Sequence, residues 1–171
     1  MSQLGLNGFA GEVGHMVVSR GGRKCQCGSR GCWETEIGES ALLNKAGRRR
    51  THPRGAAGVI ADALDGQARA LAAVHDIAGW LGFGVANIAN LTDPELVICG
   101  GYLADVVDLC RHLVEDELAR LRVPSAVSSP HVVGSALGPE AALVGAAELA
   151  FDHLLLDPAR TTDPTHSRGA A

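Results

Sequence analysis

The stretch that decides the fold is Gly11-Glu12-Val13-Gly14-His15, followed nine residues later by Cys25-Gln26-Cys27-Gly28-Ser29-Arg30-Gly31-Cys32-Trp33-Glu34. Its spacing, His15-x9-Cys25-x-Cys27-x4-Cys32, offers three thiolates and one imidazole. That donor set completes the tetrahedral shell of a closed, structural zinc site. Sulfur donors are soft and select zinc over magnesium or calcium. Gly21, Gly22, Gly28 and Gly31 let the intervening chain turn tightly enough to converge on one ion. The alternative is a set of free cysteines beside an unrelated histidine, and it needs chance to crowd three of the five cysteines into residues 25–32. An odd count with that clustering fits metal-bound thiolates in a reducing cytoplasm better than a disulfide framework. With every position filled by protein, one zinc ion held by His15, Cys25, Cys27 and Cys32 organises the fold and does not activate water.

Two carboxylates flank this loop. Glu12 lies three residues before His15, and Glu34 two after Cys32. Held on either side of one cavity, they can accept hydrogen bonds from vicinal hydroxyls, as a sugar site requires. Taken alone, the residues equally suit a surface glutamate and a helix-start glutamate favoured by the helix dipole.

Outward from the loop, the chain alternates strand and helix signals, an α/β order. Residues 1–11 are Gly-rich and read as a lead-in from something preceding. Residues 12–19 read as a short strand around Met16-Val17-Val18, residues 20–31 as a loop, and residues 34–49 as a helix. Thr51-His52-Pro53-Arg54-Gly55 breaks the pattern. A short helix over residues 56–64 stops at Asp65-Gly66. The strongest helix carries Leu71, Val74, Ala78, Leu81, Val85 and Ile88, with spacings of 3, 4, 3, 4 and 3, a continuous apolar stripe. Gly79, Gly82 and Gly84 weaken that helix by propensity, which implies that another backbone packs close there. Residues 90–94 close it. Glu95-Leu96-Val97-Ile98-Cys99 is a strand ending in Gly100-Gly101. A second amphipathic helix carries Leu103, Val106, Val107, Cys110, Leu113, Val114, Leu118 and Leu121, and Pro124 ends it. His131-Val132-Val133 is a weaker strand, and Gly138-Pro139-Glu140 starts a last helix. Residues 157–171 are polar and read as a disordered tail.

The composition sets outer limits. The 171 residues suffice for one domain with a real core, and 46% are hydrophobic but only 4% aromatic, so Ala, Leu, Val and Ile build the interior. A net charge of −4 and a pI near 5.9 give no basic face for nucleic acid. The cluster Arg48-Arg49-Arg50 suits the solvated end of a helix. No uninterrupted apolar run approaches the roughly eighteen residues of a membrane span. The N-terminus lacks the charged and apolar regions of a signal peptide.

The two motifs, Gly11-Glu12-Val13-Gly14-His15 and residues 25–34, resemble the signature of the ROK family of bacterial sugar-responsive repressors, uncharacterised reading frames and sugar kinases. Ala86-Asn87-Ile88-Ala89-Asn90-Leu91-Thr92-Asp93-Pro94-Glu95, Gly100-Gly101 and Ser135-Ala136-Leu137-Gly138 agree with it. The resemblance implies an actin-like ATPase (ribonuclease H-like) fold, of which residues 12–156 match the second, C-terminal lobe, with the zinc loop at residues 15–32. It implies that Glu12, His15 and Glu34 contact sugar hydroxyls, His15 while also binding zinc. Dimerisation through this lobe is also implied, as is a nucleotide-side turn at Gly100-Gly101.

The early Asp-Gly-Gly-Thr-like phosphate loop, the Asn-Asp pair and the Gly-Thr-Gly turn of family kinases do not occur in this sequence. Phosphoryl transfer needs oriented phosphates and a base, so no kinase activity is expected of this chain alone. Trp33, where kinases of the family commonly have Leu, points to a regulator parent. So does Tyr102, which follows Gly100-Gly101 and would crowd a nucleotide. The expected function is therefore the sugar-sensing, dimerising lobe of a ROK-type repressor, reaching DNA only through an N-terminal region not in this chain. The alternatives are half of a sugar kinase and a zinc-stabilised dimerisation module without ligand.

Overall fold

The computed structural model describes residue 6 and residues 9–49, 51, 54–124 and 128–156. The expected tail at residues 157–171, most of the lead-in, and Arg50, His52 and Pro53 lie outside the described residues.

The strongest stripe in the sequence becomes the central element, α4 (Ala68–Thr92). Val74, Ala78, Leu81 and Val85 are buried along it, whereas Leu71 and Ile88 sit at the margin of the core. Its stop is local: Asp93 adopts the left-handed conformation (φ 44°, ψ 56°), and its amide donates to the Ala89 carbonyl. By length and apolarity α4 matches a membrane span, yet half of that window is buried inside the fold, against α3 (Gly55–Leu64) and α5 (Tyr102–Leu121). It is a core helix of this lobe.

The glycines of α4 divide into three cases. A Cβ on Gly82 would stand 2.6 Å from the Val114 carbonyl oxygen, so the α5 backbone does pack close there. Gly84 instead receives a side chain, the Trp33 indole, which a Cβ would overlap. Gly79 faces open space, and the close approach expected at it does not occur.

β1 (Leu96–Cys99) and β2 (His131–Gly134) pair in parallel, Leu96 opposite His131 and Cys99 opposite Gly134, with α5 as the crossover. Val97, Cys99 and Val132 turn to the core, whereas Leu96 and Ile98 remain 50% and 62% exposed on the other face. α5 bends at Cys110 (φ −129°, ψ 30°), keeping Val106, Val107, Val114 and Leu118 buried on both sides of the kink. A 3-10 turn over Gly138–Glu140 leads into α6 (Ala141–Leu156), which carries Leu143, Leu149 and Phe151 exposed.

Three expectations need correction. The strand at residues 12–19 is a 3-10 turn over Val13–His15 followed by an extended stretch with one isolated bridge, Val17 to Cys32. The turn swings His15 toward Cys25, which a continuous strand would not do. The helix at residues 34–49 is two short helices, α1 (Glu34–Ile37) and α2 (Glu39–Lys45), parted by extended Gly38 (φ −68°, ψ 158°). A Cβ at Gly38 would lie 2.6 Å from the Glu34 carbonyl oxygen and 2.7 Å from its Oε1. Arg48 is no solvated helix end: it pairs with Asp62, which is 5% exposed and also meets Arg54 at 3.3 Å. A buried carboxylate needs such partners.

Candidate metal centre and the adjoining cleft

The loop that carries the cysteines is pinned by its own backbone. Cys25 N–H donates to Ser29 O at 2.8 Å, Gly28 N–H to Cys25 O at 3.1 Å, and Gly31 N–H to Arg23 O at 2.8 Å. Gly28 and Gly31 take positive φ values of 93° and 74°, and any Cβ at Gly31 would overlap the Ser19 carbonyl. Val18 N–H donates to Gly31 O and Trp33 N–H to Met16 O, both at 2.8 Å. These bonds bring Cys32 beside the segment that carries His15.

The four expected ligands converge. One donor atom from each of His15, Cys25, Cys27 and Cys32 lies within 4.8 Å of all the others. Cys25 Sγ is 3.7 Å from His15 Nδ1, and Cys27 Sγ is 3.6 Å from Cys32 Sγ. Zinc–sulfur bonds of about 2.3 Å at tetrahedral angles imply edges of about 3.8 Å between donors, so both distances fit a shared ion. The protonation pattern has physical causes. Burial, then hydrogen bonds to Cys27 and Cys25, pushes the Cys32 thiol up to about 11. The Ser29 backbone, then Cys25, pulls the Cys27 thiol below its ordinary value. A divalent cation would reverse the first effect through its own charge.

Beside this centre lies a cleft of about 390 Å³. Its walls include His15 and Cys25 from the loop, Glu34, Thr35 and Gly38 from α1 and its end, and Ser40 and Asn44 from α2. A Cβ on Gly14 would stand 3.5 Å from Glu34 Oε2, so a small residue there gives the carboxylate its place. Glu12 stands outside the lining, 61% exposed, with Oε2 4.0 Å from His15 Nε2. Arg23 donates to the Thr35 carbonyl and meets Glu36 at 3.1 Å; Lys45 meets Glu36 at 3.6 Å and also pairs with Asp76. This chain of ions ties the loop to α1, α2 and α4.

The structure thus gathers His15, the three cysteines and Glu34, with Glu12 beside His15. Gly100 and Gly101 are not part of the cleft lining; they lie between β1 and α5, where Gly101 has φ 57° and no atom stands within 4 Å of a Cβ placed on either glycine. Tyr102 does not crowd that turn through its hydroxyl, which donates to the Ile37 carbonyl; burial and the nearby Glu34 push its pKa up. Trp33 is 4% exposed and donates Nε1–H to the Trp80 carbonyl at 2.7 Å, so its role is to pack the loop onto α4. Sequence reasoning missed Ser40 and Asn44, whose i, i+4 spacing puts both on one face of α2. It also missed Arg23 and Lys24, which carry no motif of their own.

A β-α-β lobe with a three-sulfur, one-nitrogen donor set beside a sugar-sized cleft defines the class. The chain belongs to the ROK family, whose model matches residues 2–153. It is similar to the xylose repressor of Bacillus spizizenii, 30% identical over 151 residues, covering 88% of this chain and 39% of the repressor. It is likewise similar to the glucokinase of Streptomyces coelicolor, 34% identical over 165 residues, covering 84% of this chain and 51% of the kinase. Among solved structures it matches a ROK family glucokinase from Streptomyces griseus in complex with glucose and AMPPNP. That match has a TM-score of 0.69 at 31% identity and covers 83% of this chain and 51% of the other. The α/β fold expected from the resemblance is thus that of ROK sugar kinases. The chain spans about half the length, or less, of these curated relatives, 39% and 51%.

Proposed function

We propose that residues 12–156 are the sugar-sensing and dimerising lobe of a ROK-type transcriptional regulator, stabilised by one zinc ion on His15, Cys25, Cys27 and Cys32. The observation that carries this reading is the placement of Glu34 and His15 on one cleft directly beside the ligand cluster. When bound, the ion supplies structural cross-linking of the loop and no vacant position for chemistry. The binding work falls to the side chains. The Glu34 carboxylate accepts hydrogen bonds from vicinal hydroxyls. The 4.0 Å between His15 Nε2 and Glu12 is too long for a direct hydrogen bond, and a sugar hydroxyl contacting both would bridge it. The names of the relatives point to a pentose or hexose of the xylose and glucose type. Ligand would act by favouring one arrangement of a dimer over another, which requires unequal affinity for the two. DNA contact would come from a region outside this chain, in a cytoplasmic regulator.

A second reading, the C-terminal half of an ATP-dependent sugar kinase, is favoured by the turn at Gly100-Gly101. Gly101 opens α5 with a positive φ, both glycines face open space, and the Tyr102 hydroxyl is engaged with Ile37. Thermal unfolding of the zinc-loaded chain with xylose, glucose and ADP separates the readings. A sugar-dependent rise in melting temperature without an ADP response supports the regulator lobe. A response to ADP supports the kinase half. No response to any hexose or pentose would leave a zinc-stabilised dimerisation module.

A further inference from the structure

The two edges of the β1–β2 sheet are not alike. His131 N–H donates to the Glu95 carbonyl and Ser135 N–H to the Cys99 carbonyl, at either end of the parallel register. Residues 95, 97 and 99 therefore turn their backbone groups to β2, and Leu96 and Ile98 turn theirs outward. On the far side of β2 the corresponding outward carbonyl, that of Val132, is taken by the Arg111 guanidinium. The outward groups of Leu96 and Ile98 have no hydrogen-bond partner among the described residues. Their side chains are exposed as well, on the face that carries His131 and the half-buried Val133. An open edge beside bare apolar side chains is a template for a further strand. Leu96–Cys99 carries neither the lysine nor the proline that commonly guards such an edge.

We infer that this edge pairs with β1 of a second copy of the chain, antiparallel, about a two-fold axis through Val97. This names a surface for the dimer proposed above and rests on that part of the reading, not on its sugar or its zinc. The register follows from the sequence. With Val97 opposite itself, Leu96 meets the second copy's Ile98, and their outward amides and carbonyls satisfy one another in both directions. The exposed side chains become apolar cross-strand pairs, and Glu95 falls opposite Cys99, so no like charges meet. Pro94, which has no amide to donate, falls opposite Gly100 and ends the pairing at both ends together. Moving the axis to Leu96 sets Ile98 against Pro94 and forfeits a donor. Moving it to Ile98 sets Leu96 against Gly100 and leaves it no apolar partner. That fit of the strand to itself favours a second copy over a strand of unrelated sequence.

The test is sedimentation velocity on the full chain over a range of concentrations, alongside Leu96→Lys and Ile98→Lys. Either lysine stands in solvent in the single chain, so circular dichroism at low concentration should be unchanged. The expected result is a monomer–dimer equilibrium whose dissociation constant each lysine raises about tenfold or more, since pairing presses the ammonium against an apolar neighbour. Val97→Cys reads the register. A residue facing itself in a non-hydrogen-bonded antiparallel pair has α-carbons about 4.5 Å apart, within disulfide reach. Oxidation with diamide should therefore join two copies at position 97, a bond that peptide mapping identifies. A monomer at every concentration would overturn this inference and the dimer reading together. A dimer indifferent to both lysines, or one that does not cross-link at position 97, defeats this inference and leaves the dimer reading standing. Open-ended assembly would also defeat it, because two-fold pairing uses up the edge.

Discussion

Two neighbouring regions of this lobe are held by different physics. Helix α4 buries eleven of its residues, and α5 lies across it with Gly82 admitting the Val114 backbone. Between Phe9 and Cys32, by contrast, Cys25, Gly31 and Cys32 are the buried residues. That stretch cannot be sustained by apolar burial at about 25 cal/mol per Å². It is held by turn hydrogen bonds, and its four donor atoms converge; the zinc ion we propose there would add its binding free energy to folding. At the seam between the regions the Trp33 indole lies in the notch left by Gly84, beside the ion chain that runs from Arg23 to Asp76.

The seam gives the largest expected effect. Gly84→Val would drive side-chain atoms into the indole, with no flexible end to give way. The expected destabilisation is at least about 3 kcal/mol, read by chemical denaturation, with the loop and helices uncoupled. Within the helical body, Leu81→Ala should cost about 3 kcal/mol by leaving a cavity, while zinc content per folded chain stays the same. In the loop, Cys32→Ser should do the reverse. Hydrogen exchange should show residues 12–33 losing protection while α4 and α5 keep theirs.

Acid sharpens the same contrast. The metal-free site holds more protons than the loaded one, because the Cys32 thiol sits up at about 11. Loading therefore releases protons, and the zinc-dependent part of stability is largest at high pH and falls as pH drops. Each displaced proton steepens that dependence. A difference in melting temperature between loaded and stripped protein that shrinks from pH 8 to pH 6 would match this sign. The smallest effect is expected outside both regions. Glu117→Gln breaks an exposed pair with Arg120, at 2.6 and 2.9 Å, and should leave the melting temperature unmoved.

The helical body was legible in the sequence because its periodicity is long. Six apolar positions in α4 and eight in α5 leave little room for another reading. The donor set was legible because chemistry fixes its spacing. What escaped was whatever depended on a partner distant in sequence. The exception is local: Gly38 is extended between α1 and α2, and the Glu34 carbonyl and carboxylate four residues earlier fill the space where a Cβ would go. Arg48 is drawn to Asp62 on another helix. Tyr102 turns its hydroxyl to Ile37, 65 positions earlier, which no local pattern announces. The strand at Leu96–Cys99 was legible as an apolar run, but such a run does not reveal which of its faces is covered, and Leu96 and Ile98 are exposed.

The central claim is that a zinc ion bound by this particular donor set holds the loop that forms the cleft. Zinc K-edge absorption on the purified chain tests it most directly. One zinc per chain with about three sulfurs at 2.3 Å and one nitrogen at 2.0–2.1 Å is the predicted result. A shell dominated by oxygen, or a chain whose loop is equally protected after verified removal of the metal, would contradict it.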